Sequence, residues 1–223
     1  MESYRKAWNK QQTEFRDLLH SYKQHDKAMA MFLSQHAQLH SAEMAGTEPW
    51  SFEDWLCADL SEAQFRRIPG GDEHSIAWVL WHIARIEDVT MNVLVAGEGQ
   101  LFNQGDWAGR LGVNIRHTGN AMPAVAVEAL SATVDLNVLR EYRRAVGRQT
   151  QTIASRLGPE ELKAKVDPDR LQRVRDEGAV VDAANAVIVY WSKRDIAGLL
   201  LMPPTRHAFL HLNEALRLKR KKA

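Results

Sequence analysis

Apolar residues recur at helical spacing along most of the chain, and the two-residue alternation of an amphipathic strand is absent. A first helical region is expected from about Tyr4 to Ala45, with a break near "HSYKQHDK" (20–27) and a stop at "GTEPW" (46–50), where Gly46 and Pro49 punctuate the chain. A short helix follows in "LSEAQFRRI" (60–68), opened by Ser61 and Gln64 at capping-box spacing. "PGGDEH" (69–74) interrupts the pattern and leads into a second long helix, about Ser75 to Ala96. Residues 97–123, rich in Gly and Asn, then read as a long connection of the kind that is commonly functional. A third long helix is expected from about Ser131 to Leu157, closed by Gly158-Pro159. Short helical pieces and an apolar segment (178–191) lead to "DIAGLLLMPPTRH" (195–207). There Pro203-Pro204 should break the chain and Thr205 should cap a final helix reaching about Arg220. The pattern predicts an all-α fold: one domain over residues 1–223, a four-helix bundle with additional short helices and a long loop after its second long helix.

Composition supports a folded core and narrows the partners. Hydrophobic residues make up 45% of the chain, and 29 Lys plus Arg balance 28 Asp plus Glu. Neither nucleic acid nor an anionic membrane is indicated by that balance. The basic ending "RLKRKKA" (217–223) reads as a solvated helix end that frays over 219–223. Cys57 is the single cysteine, which excludes a disulfide within the chain, and no motif supports it as a nucleophile. The opening "MESYRKAWNKQQ" lacks the apolar stretch of a signal peptide. No apolar run approaches the ~20 residues that span a bilayer. A cytoplasmic, reducing location is expected.

Two segments carry candidate chemistry because they repeat one spacing. "HAFLHLNE" (207–214) and "HAQLHSAE" (36–43) both set two histidines four apart and a glutamate three further on. With about 100° per residue, His207, His211 and Glu214 share one helical stripe, while Phe209, Leu212 and Leu216 occupy the opposite side. Such a helix is buried on two faces, and a homodimer is one way to cover the second. Paired imidazoles one turn apart can converge on a single ion. A third nitrogen is offered by His82 in "SIAWVLWHIARIED" (75–88), on a stripe with Trp78, Val79, Ile86, Val89 and Val93. Taken alone, His82 reads as a core histidine with a hydrogen-bond partner; taken with the pair, it completes three neutral donors for a divalent ion.

The remaining polar residues divide as follows. His36 and His40 sit near a helix end, where the dipole explains them, and Gln35, Gln38 and Ser41 suggest a wet face; no metal is expected there. Glu87 and Asp88 point away from the His82 stripe and read as structural. Arg85, about 60° from His82, is a candidate contact for an anionic substrate, with a surface salt bridge as the plainer reading. Glu214 can hydrogen-bond an outer ligand nitrogen, position water, or pair with an arginine. His74 and His117 read as loop residues within possible reach of the ion.

"SIAWVLWHIARIED" and "DIAGLLLMPPTRHAFLHLNEALR" resemble the second-helix and last-helix motifs of the DinB-like superfamily of metal-binding four-helix bundles. Residues 97–130 and 159–192 carry no recognisable motif. The resemblance implies that His82, His207 and His211 ligate a divalent metal ion, zinc or nickel foremost, with iron or manganese also compatible. Relatives often have Gly-Gln shortly after the paired histidines, where this chain has Asn213-Glu214. An enzyme is implied that activates a thiol or water, of a thiol S-transferase-like or hydrolase-like kind. It would act on a small-molecule substrate, with a low-molecular-weight thiol as cosubstrate and residues 97–123 at the substrate entrance. The alternatives are a non-catalytic metal-binding or interaction protein of the same fold, and a helical bundle without metal.

Overall fold

The computed structural model describes residues 2–45, 50–70 and 73–221. Gly46 and Pro49, where the first helical region should stop, lie outside the described residues, as do Gly71, Asp72, Lys222 and Ala223. Every regular element among the described residues is helical, apart from one isolated bridge between Lys165 and Asp195.

The first helical region is two helices rather than a rod. α1 (Glu2–Leu19) and α2 (His25–Leu39) pack on each other across a 3-10 turn at Tyr22–Gln24, inside the "HSYKQHDK" break. Three short helices follow: α3 (Ala42–Ala45), α4 (Phe52–Cys57) and α5 (Glu62–Arg66). The expected capping box holds α5, with Gln64 N donating to Ser61 Oγ at 3.2 Å and Ser61 N to Gln64 Oε1 at 3.0 Å.

The axis of the fold is α6 (Ile76–Asp88). Ser75 caps it by accepting from Trp78 N at 2.9 Å, and every residue from Ile76 to Asp88 is buried. A helix covered on all sides has no wet face for its polar groups, so His82, Arg85, Glu87 and Asp88 must each find partners inside. The helix runs straight on into a π-helical stretch, Val89–Val95.

Residues 97–123 are more structured than a loop. They contain a 3-10 turn (Leu101–Asn103) and α7 (Trp107–Leu111). Buried Asp88 folds this segment back by accepting from Leu101 N at 2.8 Å and Phe102 N at 2.9 Å. The expected third helix is divided into α8 (Ala124–Thr133) and α9 (Leu136–Ala154). Asp135 caps α9 by accepting from Val138 N at 2.9 Å. Ser131, read as a helix start, instead sits inside α8 with its hydroxyl on Val127 O at 2.6 Å. After α9 come α10 (Pro168–Asp176) and α11 (Asn185–Ser192).

The expected break at Pro203-Pro204 does not occur. α12 (Ile196–Leu201) passes through a π-helical turn, Met202–His207, into α13 (Ala208–Arg220). Prolines lack the N–H that would satisfy carbonyls one turn back. Side chains do so instead: Thr205 Oγ1 lies 2.9 Å from Leu200 O and 2.8 Å from Leu201 O, and Gln12 Nε2 donates to Leu201 O at 2.8 Å. Thr205 therefore bridges two helices into one rod and does not start a new one. α6 packs on α9 and α13, while α2 reaches α9 and the π turn, which closes the four-membered bundle. Trp8 of α1 stacks on Phe209 with centroids 3.9 Å apart. That contact covers Phe209, on the second apolar face of α13, from within the chain. The basic ending is tied down as far as it is described, with Lys219 on Leu56 O and Lys221 on Glu73.

Candidate metal centre

His82 on α6, His207 at the end of the π turn and His211 on α13 converge. One ligand-capable atom of each lies within 4.8 Å of the others, and the ring centroids are 4.5 to 5.0 Å apart. Two tautomers are fixed by outer hydrogen bonds. His82 Nδ1–H donates to Thr118 O at 2.7 Å, and His211 Nδ1–H donates to Glu214 Oε2 at 2.8 Å. In each case Nε2 is left as a bare lone pair, the form that a metal requires. His207 is held by the two neighbouring rings, and its Nδ1 is buried without a partner.

The donor set fits a divalent ion. His82 Nε2 and His207 Nε2 are 3.1 Å apart. Two nitrogens on a tetrahedral ion with bonds near 2.0–2.1 Å stand about 3.3 Å apart. A proton on His207 also satisfies that pair, so the spacing accommodates either species. Burial holds His82 and His207 neutral: it brings His82 down to about 3, with His211 adding to the effect, and pushes His207 well below its ordinary value. For Glu214, burial acts upward, but the hydrogen bonds from His211 and His74 prevail and hold the carboxyl at about 2.

An aromatic stack fixes the rear of the site. The Trp78 ring lies between His74, at 3.6 Å, and His82, at 4.6 Å, with both pairs within 11° of parallel. His74 Nδ1 is 3.5 Å from Glu214 Oε1, so this histidine touches the outer carboxylate and not the triad. His117 accepts from Gly119 N at 3.1 Å. Gly119 has φ +88, and a Cβ there would sit 3.1 Å from Trp78 Nε1. Only glycine lets the chain pass this close while presenting the neighbouring Thr118 carbonyl to His82. Met122, further along, borders a cavity of about 780 Å³ that His74 also lines.

Two sequence readings are corrected here. Arg85 is fully buried and contacts neither solvent nor the triad. It donates to Asp88 at 2.8 Å, Tyr142 Oη at 2.9 Å and Arg116 O at 2.6 Å, so it anchors the segment that carries Thr118. Its place on α6 was legible; that α9 and residues 97–118 cover that face was not. His36 and His40 are also not on a wet face. Both are buried, with His36 Nε2 at 2.7 Å from Glu87 Oε1 and His40 Nε2 at 3.0 Å from Glu87 Oε2. Glu87 is thus the centre of a second cluster, which Thr150 completes by donating to Oε1 at 2.7 Å.

That second cluster also brings its ligand atoms within 4.8 Å. Its protonation pattern differs. A carboxylate facing both Nε2 atoms is satisfied by their N–H groups, and Nδ1 of each ring is buried with no acceptor. With the Nε2 atoms of both rings already engaged by Glu87, we take this cluster as a hydrogen-bonded core network. Missed by sequence reasoning were Thr118, whose backbone oxygen has no sequence signature, and Trp78 as a spacer, which its place on the His82 stripe made discoverable.

Fold and site together define an all-α bundle that presents three imidazoles where its axial and last helices cross. The sequence profile of the DinB superfamily matches residues 51–187, well over half of the chain, and the chain belongs to that superfamily. The matched span includes His82 and also residues 97–130, where no motif was recognisable; it stops short of His207 and His211. No curated protein matches the chain. No helix among the described residues is long and apolar enough to cross a membrane.

Proposed function

We propose that the protein is a divalent-metal-dependent enzyme of thiol S-transferase-like or hydrolase-like type, with His82, His207 and His211 as the ligands. The observation that carries this reading is the convergence of three imidazoles from two helices, two of them with Nδ1 committed elsewhere. A divalent ion held by three neutral nitrogens keeps its charge and an open position, and so favours the deprotonated form of a bound thiol or water near neutral pH. Zinc or nickel suits these donors best, with iron or manganese compatible.

The chain's own residues orient and shield. Thr118 O and Glu214 set the rings of His82 and His211, and the negative charge of Glu214 strengthens His211 as a donor. Glu214 is engaged by His211 and His74, so its work is to orient and not to take a proton from substrate. Trp78 keeps water from the rear of His82. Residues 97–123, which bring the Thr118 carbonyl to His82, form part of the substrate entrance. Metal analysis of the purified protein, followed by loading with zinc or nickel, tests the reading. One ion per chain, lost in His82→Ala together with turnover of an electrophile in the presence of a small thiol, supports it. A protein that takes up no ion, or a His82→Ala variant with full turnover, ends it.

A further inference from the structure

A second cavity touches the triad itself, through His207. It holds about 300 Å³ and is walled by Ile86, Val187, Tyr190, Trp191, Met202 and Pro203. Ile86 lies one turn beyond His82 on α6, and Pro203 about one turn before His207. Since the two helices pack against each other, the cavity runs from the edge of the triad along the bundle, away from His211 and Glu214. Its walls offer apolar and aromatic surface and almost nothing to hydrogen-bond.

A third cavity, of about 470 Å³, adjoins it and shares Tyr190 and Met202. Its character is opposite. Arg16, Arg194 and Arg206 line it, and no carboxylate does. Arg16 is paired with the neighbouring Asp17, but the other two cations face neutral groups. Arg206 donates to Asn9 Oδ1 at 2.6 Å, and Arg194 lies over the Tyr190 ring at 4.3 Å with its Nε buried and unpartnered. A recess in which Arg194 and Arg206 face neutral groups is complementary to an anion.

We infer that the two adjoining cavities form one elongated substrate site, shaped for an amphipathic anion. Its reacting group lies at His207, its apolar body lies against Trp191 and Met202, and its carboxylate, phosphate or sulfonate end reaches Arg194 and Arg206. The combined space is of the size used for small-molecule ligands. This inference rests on the proposed metal reading for the reacting end only.

Two probe series on the full chain test it. In the first, cobalt-loaded protein is titrated with butane-, hexane- and octanethiol and with the matching ω-mercaptoalkanoates, read by the thiolate–cobalt absorption. Each methylene should tighten binding about fourfold until the apolar cavity is filled. The carboxylate-ended probes should then gain a further advantage at the longest lengths. Val187→Trp, at a half-buried wall position, should flatten the length dependence, and Arg194→Gln with Arg206→Gln should remove the carboxylate advantage. Cobalt content and melting temperature should stay unchanged in these variants. In the second, metal-free protein with 13C-methyl methionine is titrated with octanoate. The Met202 methyl resonance should shift saturably, and Val187→Trp should abolish the shift. An unmoved Met202 overturns the inference whatever the metal does. Thiol affinity independent of length overturns it while leaving the metal reading intact. Failure of cobalt to bind, with octanoate still shifting Met202, removes the metal reading and retains the site for an amphipathic anion.

Discussion

The chain builds the same His-x-x-x-His helical pair twice, and the two pairs end in different chemistry. His207 and His211 meet a third imidazole, His82, and the nearby carboxylate of Glu214 binds the outer nitrogen of His211. His36 and His40 meet the carboxylate of Glu87 directly, at their Nε2 atoms. In the first cluster the carboxylate draws the proton to the outside of the ring and leaves a lone pair facing inward. In the second it draws the protons inward, so the donors are already used. Two histidines at helical spacing are thus neutral as to function. For His211 on one side and His36 and His40 on the other, the difference is which ring nitrogen the anion occupies.

The largest expected effect separates the clusters by metal. His82→Ala should reduce bound metal from one ion per chain to background, whereas His36→Ala and His40→Ala should retain it in whatever fraction stays folded. Metal analysis of the soluble variants checks this, and a second ion that depends on His36 would break the comparison. Next, Glu87→Ala should destabilise the fold by about 3–5 kcal/mol, because it strands buried polar partners. Urea unfolding reads this as a lower midpoint; a variant of native midpoint would show that the second cluster does not hold the core.

Glu214→Gln should weaken metal binding by about 10–100-fold with little loss of stability, as expected when an outer carboxylate is removed from a ligand histidine. Competition with a chromophoric chelator measures it, and unchanged affinity would mean that Glu214 does not tune His211. Acid should act on the metal-free protein in two windows, the first set by buried histidines of both clusters and the second by the buried carboxylates Glu87 and Glu53. Burial lowers His82, His207 and His36 below their ordinary 6.5, so the unfolded chain takes up their protons first. Their contribution is complete above pH 6.5 and is lost as pH falls below it. Glu87 and Glu53 lie below their ordinary 4.5: burial opposes this, but His40 and His36 around Glu87, and Arg143 beside Glu53, prevail. Their contribution is complete above 4.5 and is lost in more acid solution. Unfolding midpoints measured from pH 8 to 3 should therefore decline in two stages, and rising stability below pH 6 would contradict the assignment. The smallest effect is expected at Cys57, whose thiol burial, with Glu53 adding to it, pushes up to about 11. Cys57→Ala should leave metal content and thiol-dependent turnover intact.

Legibility followed the range of the interactions involved. The capping box at Ser61, the break before α2 and the His82 stripe are local, and each was readable within a few residues. The double proline misled because its missing donors are made good by Thr205 and by Gln12, the latter from almost the other end of the chain. His36 and His40 misled for the same reason. Their helix shows polar neighbours, and the partner that buries them comes from α6.

By itself the sequence determined the all-α class, the periodicity of α6 and α13 and the placing of three imidazoles on inward stripes, since helical period and side-chain type are properties of neighbours along the chain. The tertiary structure decided which histidine nitrogens remain free, where Arg85 and Glu87 find their partners, and that Thr118 O supports the site. Those outcomes depend on residues far apart in sequence being brought within hydrogen-bond distance, where exclusion of water leaves each buried polar group only the partners that the fold supplies.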